Sequence, residues 1–160
     1  QADQIAALLK APKDPVKAVE DLSQKFKELE KQLQQLNAEK VARLKDELMG
    51  KITDQGGIRL LREQVAVSSA DDLKQLSFDL RKDTENTLIV LGADLGGKAL
   101  LSVIMSEDLA NSGQFNAGQM IRELAKEVKG GGGGQPFYAT AGGKDPAGIP
   151  QALQKVEEMI

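Results

Sequence analysis

The chain has 160 residues, room for one domain or one domain plus an arm, and its 41% hydrophobic content can supply a core, which excludes a wholly disordered polymer. With no Cys and no His, it cannot build disulfides, thiolate or imidazole metal sites, a Cys nucleophile or a triad with a His base. Lys and Arg number 21 against 24 Asp and Glu, a net charge of -3, so affinity for a polyanion has to come from a local patch rather than from bulk charge. Only 3% of the residues are aromatic, so the expected core is aliphatic. The chain opens on Gln1 without a signal-type start, as expected of a segment of a longer protein, and no apolar run approaches the roughly eighteen residues of a membrane helix. A soluble chain with no membrane partner is the expectation.

Between Asp14 and about Met49 there is no Gly and, after Pro15, no Pro. Val19, Leu22, Phe26, Leu29, Leu33 and Leu36 recur in alternating steps of three and four, a heptad seam on one long coiled-coil-like helix over 14–49. The register then jumps to Val41, Leu44 and Leu48, and the eleven-residue step from Leu33 to Leu44 is a stutter. Asp14 is placed to cap the start, Pro15 suits the first helical position, and Gly50 suits the end. At about 1.5 Å per residue such a helix runs roughly 50 Å, an arm rather than part of a globule. Ile5, Leu8 and Leu9, upstream of the Pro12 and Pro15 breaks, can cover one or two turns of it. The rest of the seam needs a second chain or another part of a longer protein.

From Ile52 onward short apolar runs alternate with helical patterns, and most of the 16 glycines lie here. Ile58–Val67 reads as a strand of mixed facing. Ser69-Ala-Asp-Asp is a capping signal, with Leu73, Leu76 and Leu80 on one helical face. Thr87–Leu91 reads as a buried strand, Gly92–Gly97 as a turn-rich break, and Ala99–Met105 as an interior strand apolar on both faces. Asn116 and Gln119 form a capping pair before the stripe Ala117, Met120, Ile121, Leu124, Ala125 and Val128. Phe137–Ala141 is a short strand, and a helix over 149–160 closes the chain. The fold class is therefore α+β, mixed α/β: a helical arm over 1–50 followed by a small mixed-sheet domain with packed helices over 51–160.

The segment between Lys129 and Lys144 carries the functional signal. Five consecutive glycines, Gly130, Gly131, Gly132, Gly133 and Gly134, cost folding entropy that an ordinary loop has no reason to accept. They read either as a helix stop with a flexible connector, or as a glycine-rich loop whose bare N–H groups let a phosphate or sugar approach. The run follows a helix instead of preceding one and contains no Gly-Lys-Ser/Thr, which disfavours a mononucleotide hydrolase. Arg122, Lys126 and Lys129 form a basic strip toward the end of that helix, where the dipole alone would also favour cations, and Gly142, Gly143 and Lys144 offer a weaker anion site. On the following strand Phe137 is expected to pack inward, which leaves Tyr138 either exposed for stacking on a base or partly buried with its hydroxyl satisfied.

The glycine run followed by Gln135 and Pro136, then Ala139, Ala141 and the Gly142-Gly143 pair, resembles the motif of the accessory domain called DHHA1. That domain occurs at the C-terminus of alanyl-tRNA synthetases and in DHH-family phosphoesterases. The segment Leu9–Asp14 with the long Glu/Lys/Leu helix also resembles the tail of bacterial synthetases of this type, so the resemblance covers essentially the whole chain. It implies a non-catalytic, cytoplasmic tRNA-binding domain that contacts the outer corner of tRNA(Ala) and helps couple aminoacylation with editing. Its further partners would be the aminoacylation and editing domains of the same chain. ATP, Mg and Zn would belong to those other parts, with no cofactor in this segment. Resemblance places the interface on Gly130–Gly134, Gln135, Gly142 and Gly143; charge and position add Arg122, Lys126, Lys129 and Lys144, and Tyr138 adds an aromatic. Two alternatives stand beside it: a coiled-coil module that pairs two copies through the seam, and the substrate-binding accessory domain of a DHH-type phosphoesterase. Gln135 stands where the phosphoesterase version often has His, which favours the synthetase.

Overall fold

The heptad pattern forms one continuous helix. The computed structural model describes residues 1–10 and 13–160, so Pro12 lies outside the described residues. Helix α1 is Ala2–Leu8 and α2 is Pro15–Met49; Asp14 Oδ1 accepts from the Lys17 amide at 3.0 Å and caps the start of α2. No helix among the described residues is long and apolar enough to cross a membrane.

The chain divides into two compact units, Gln1–Lys40 and Val41–Ile160. In the first, the six seam residues Val19, Leu22, Phe26, Leu29, Leu33 and Leu36 remain 49% to 63% exposed. Ile5 and Leu8 are exposed too, and Ala6 is the buried residue of α1. In the second unit the last turns of α2 bury Val41 and Leu48, with Leu44 packed beside them. The division therefore falls before the expected boundary at Gly50. The stutter gives these turns an apolar face of their own, and that face belongs to the globular core.

The second unit adds β1 (Thr53–Gln55), β2 (Ile58–Gln64), α3 (Ala70–Lys82), β3 (Thr87–Asp94), β4 (Ala99–Met105), α4 (Glu107–Ser112), α5 (Ala117–Glu127), β5 (Gly130–Gly134), β6 (Tyr138–Gly143) and α6 (Ile149–Lys155). The expected caps form: Ser69 Oγ accepts from the Asp72 amide at 3.1 Å, and Asn116 Oδ1 accepts from the Gln119 amide at 3.0 Å. Three boundaries differ from the sequence expectation. Strand β3 continues through Gly92 to Asp94, because a Cβ on Gly92 would meet Ile149 Cγ2 at 2.5 Å and only glycine lets α6 seat there. The strand expected from Phe137 begins at Tyr138, and the closing helix gives way after Lys155 to a 3-10 turn over Val156–Met159.

One six-stranded sheet results, in the order β1-β2-β3-β4-β6-β5. Strands β2 and β3, joined through α3, are parallel, and every other neighbouring pair is antiparallel. One face packs Leu60, Val90, Leu101 and Val103 against α5 and α6, which supply Ile121, Leu124, Ile149 and Leu153. The other packs Leu61, Ile89, Leu91 and Ile104 against Leu73, Leu76 and Leu80 of α3 and the end of α2. Each fully buried Leu contributes about 1.5–3 kcal/mol, and the fully buried side chains are aliphatic, with Phe78, Phe115, Phe137 and Tyr138 packed at the margins of the two clusters. On this second face α3 lies over β3 and β4, and the side chains that follow on β6, Thr140 and Gly142, are small and not buried.

Candidate nucleic-acid interface

The glycine run is a strand, and this corrects both readings of it as a loop. Gly130–Gly134 form β5 at the sheet edge, paired antiparallel with β6 from Gly130↔Gly143 to Gly134↔Ala139, and none of the five has a positive φ. Their lack of side chains is explained rank by rank. A Cβ on Gly130 would collide with Gly142 O, one on Gly132 with Thr140 O, and one on Gly134 would come within 2.5 Å of Tyr138 O. Gly143 and Gly148 are likewise closed off by the carbonyls of Val128 and Glu127 at the end of α5. The buried Ala139 and Ala141 complete this tight seat, so half of the glycine motif exists to bring α5, β5 and β6 close together.

The other half has no such reason. Around an added Cβ on Gly131, Gly133 or Gly142 there is nothing within 4 Å, and their φ values are ordinary. Gly131 stands beside Gly142 in the ladder. These positions form a patch of bare, open backbone at the edge of the sheet.

That patch borders an open depression of about 450 Å³ lined by Leu95, Lys98, Ala99, Leu100, Lys129, Gly130, Gly142, Gly143 and Lys144. Its floor is apolar and its rim carries three lysines, all exposed. Of the residues expected at the interface, Lys129, Gly130, Gly142, Gly143 and Lys144 are brought together here. Lys98, Leu95 and Leu100 join them without having been expected. The β3–β4 turn positions Lys98: Gly96 and Gly97 take φ of 64° and 89°, the Gly97 amide donates to Asp94 Oδ1 at 2.8 Å, and the Leu95 amide donates to Lys98 O at 2.8 Å. The two glycines signal a turn in the sequence, but only the pairing of β4 with β6 reveals that its exit residue stands beside Lys144.

Other expected residues lie elsewhere. Arg122 and Lys126 are on the exposed face of α5 and do not line the depression. Lys126 Nζ is held by Glu123 at 2.8 Å, and this hydrogen bond, reinforced by the lysine's charge, lowers the Glu123 carboxyl pKa below its ordinary value. The basic strip is thus interrupted by an acid. Gly134, Gln135 and Tyr138 are at the opposite end of the hairpin, where the Gln135 amide donates to Tyr138 O at 2.8 Å and Pro136 O accepts from the Ala117 amide at the start of α5. Tyr138 is half-buried, with its ring edge-on to Phe78 at 4.9 Å, and burial raises its hydroxyl pKa. It is a packed domain residue rather than a free stacking platform. Phe137 is likewise half-buried, with the Arg81 guanidinium 4.8 Å over its ring.

A side-chain-free strand edge beside an apolar floor and a lysine rim can take a ligand that is flat or backbone-like on one side and anionic on the other. No group of three Asp or Glu that could hold a metal ion occurs among the described residues.

Residues 57–160 match the family model described as DHHA1 domain. The alanine–tRNA ligase of Cytophaga hutchinsonii is 41% identical over 156 residues, covering 98% of this chain and 18% of the relative. That of Christiangramia forsetii is 41% identical over 158 residues, covering 99% of this chain and again 18% of the relative. The crystal structure of the C-Ala domain from Aquifex aeolicus alanyl-tRNA synthetase superposes with a TM-score of 0.62 at 28% identity, over 68% of this chain and 96% of that one. The chain accordingly spans about 18% of the length of the curated relatives it matches. The arm followed by a six-stranded mixed sheet, the glycine strand and the family model agree, and the chain belongs to the DHHA1 domain family.

Proposed function

We propose that this chain is the non-catalytic C-terminal portion of an alanine–tRNA ligase and that it binds the sugar–phosphate backbone of tRNA(Ala) at its outer corner, helping aminoacylation and editing act on one bound molecule. The observation that carries this reading is the adjacency of backbone that no packing requires to be bare, at Gly131, Gly133 and Gly142, and a depression rimmed by Lys98, Lys129 and Lys144. A net charge of -3 would resist a polyanion at long range, so the contact is local and is strengthened by tethering to the other tRNA-binding domains of the parent. ATP, Mg and Zn belong to those domains in this reading. With neither His nor Cys, this chain has no ligand set of the kind zinc sites use. The parent works in the cytoplasm. Titration of tRNA(Ala) with the chain at two KCl concentrations tests the proposal: binding that weakens as salt rises supports it, and no binding at the lower salt contradicts it.

A second reading concerns the arm and is compatible with the first. Six apolar seam residues at heptad spacing, each about half exposed or more, suit a second copy or the preceding domains of the parent. Sedimentation equilibrium of the chain and of its Leu29→Glu variant separates these. A dimer that the variant abolishes supports pairing of copies, and a monomer at high concentration assigns the seam to the parent.

A further inference from the structure

The three rim lysines each flank a strand of the sheet: Lys98 directly precedes β4, Lys144 directly follows β6 and Lys129 directly precedes β5. Strand β4 pairs with β6 from Ala99↔Gly143 onward, and β5 with β6 from Gly130↔Gly143 onward. Just beyond these pairs, outside the strands themselves, lie Lys98, Lys144 and Lys129, and all three line the same depression. Three cations from three neighbouring chain segments thus rim one depression. Like charges gathered in this way repel one another. Asp145 offsets one of them, through Lys129 at 3.0 Å; among the described residues Lys98 and Lys144 form no salt bridge.

Lys129 carries a second cost. Its φ is 53°, the left-handed conformation, at the position just after the α5 C-cap. Glycine is the residue that ends helices in this conformation without a steric penalty, and the next five residues are all glycine. A lysine here, where the chain readily supplies glycine, points to a side chain kept for what it does.

We infer that Lys98, Lys144 and Lys129 form a phosphate clamp, in which the chain segments flanking three neighbouring strands hold the phosphates of an RNA backbone while its sugars lie over Leu95 and Leu100. Lys98 is thereby a binding residue and the β3–β4 turn is one wall of the site. The RNA identity of the ligand rests on the function proposed above; the clamp itself rests on the shared depression, on Lys98 and Lys144 without a carboxylate partner among the described residues, and on Lys129, left-handed and ion-paired to Asp145. Arg122 and Lys126, outside the depression, have no part in it.

Two probes test the clamp, an alanine-tRNA transcript and sodium tripolyphosphate, on the 160-residue chain and on its Lys98→Gln, Lys144→Gln and Lys129→Gly variants, with Lys74→Gln on the exposed face of α3 as the charge control. One phosphate contact adds about one to the slope of log K against log[KCl], so the tightening of tRNA binding between about 200 and 50 mM KCl should shrink about fourfold for each clamp variant. For Lys98→Gln with Lys144→Gln together it should shrink about sixteenfold, and for Lys74→Gln not at all. Thermal unfolding separates binding from structure. Lys129→Gly should melt no lower than the parent chain, and Lys98→Gln should melt at the same temperature or higher, because repulsion is relieved.

Lower melting with an unchanged salt slope would make these lysines structural and overturn the clamp. If the transcript binds but Lys98→Gln and Lys144→Gln behave as Lys74→Gln does, the clamp fails and tRNA binding stands. If the transcript does not bind but tripolyphosphate shifts the amide resonances of Gly130, Gly142 and Gly143 in a Lys98-dependent way, the clamp stands and the tRNA assignment fails. If neither probe binds, both fall.

Discussion

At one end of the β5–β6 hairpin stand Lys129, Lys144 and, from the β3–β4 turn, Lys98; at the other stand Phe78, Phe137, Tyr138 and Arg81. Six residue steps separate Tyr138 from Lys144 along β6, roughly 20 Å at the ordinary strand rise. At the aromatic end the groups answer one another. Arg81 Nε donates to Met105 O at 2.9 Å while its guanidinium covers Phe137, and Tyr138 packs on Phe78. At the lysine end two of the three cations have no carboxylate partner among the described residues, and the neighbouring glycines face open space. The difference teaches that residues of one sequence motif need not come together in the fold. Gln135 and Tyr138 share the motif with Gly142 and Gly143, yet only the latter pair lines the depression.

Substitutions at the two ranks of glycine should separate structure from binding most strongly. Gly132→Val forces a side chain into the β6 backbone and should cost about 3 kcal/mol or more in urea unfolding, whereas Gly133→Ala should stay within about 0.5 kcal/mol. Equal losses would erase the distinction between the ranks. Arg81→Ala removes a hydrogen bond and a cation–π contact and should cost about 1–3 kcal/mol while leaving tRNA affinity unchanged. Tyr138→Phe should alter tRNA affinity by less than about twofold; a tenfold loss would restore Tyr138 as a stacking residue, since base–aromatic stacking is worth about 1–3 kcal/mol.

The smallest expected effect is on pH dependence. The Asp108 carboxyl lies below its ordinary pKa of 3.8, held there first by the Ser106 hydroxyl and then by the Asn86 amide, which donates to Asp108 at 2.8 Å. A depressed folded value stabilises the native state above the ordinary pKa, and that contribution disappears as pH falls through the lowered one. The melting temperature should therefore fall slightly as pH drops below about 4, and Asp108→Asn should flatten that limb. A melting temperature equally dependent on pH in the variant would assign the acid sensitivity to other carboxylates.

Much of the architecture was legible because period and punctuation speak locally. The heptad seam, the Ser69 and Asn116 caps and the buried run at Ala99–Met105 each depend on neighbours within a few positions. The stutter at Leu44 even marked where the helix changes unit. The glycine strand was not legible, because glycine has poor strand propensity and its reason for being there is a collision with a different strand. Lys98 was invisible for a related reason: nothing in Gly96-Gly97-Lys98 shows that β4 will pair with β6 and bring this lysine beside Lys144. A helix-end lysine such as Lys126 reads as free in the sequence until the acid one turn earlier, Glu123, is seen to hold it.

A hydroxyl-radical footprint of tRNA(Ala), taken with the parent chain and with its Lys144→Glu variant at low salt, bears most directly on whether the lysine end of the hairpin meets RNA. Protection of the outer corner by the parent chain and its loss in the variant are the predicted result. Protection confined to the acceptor stem or the anticodon arm, or a corner footprint that Lys144→Glu leaves intact, would contradict it.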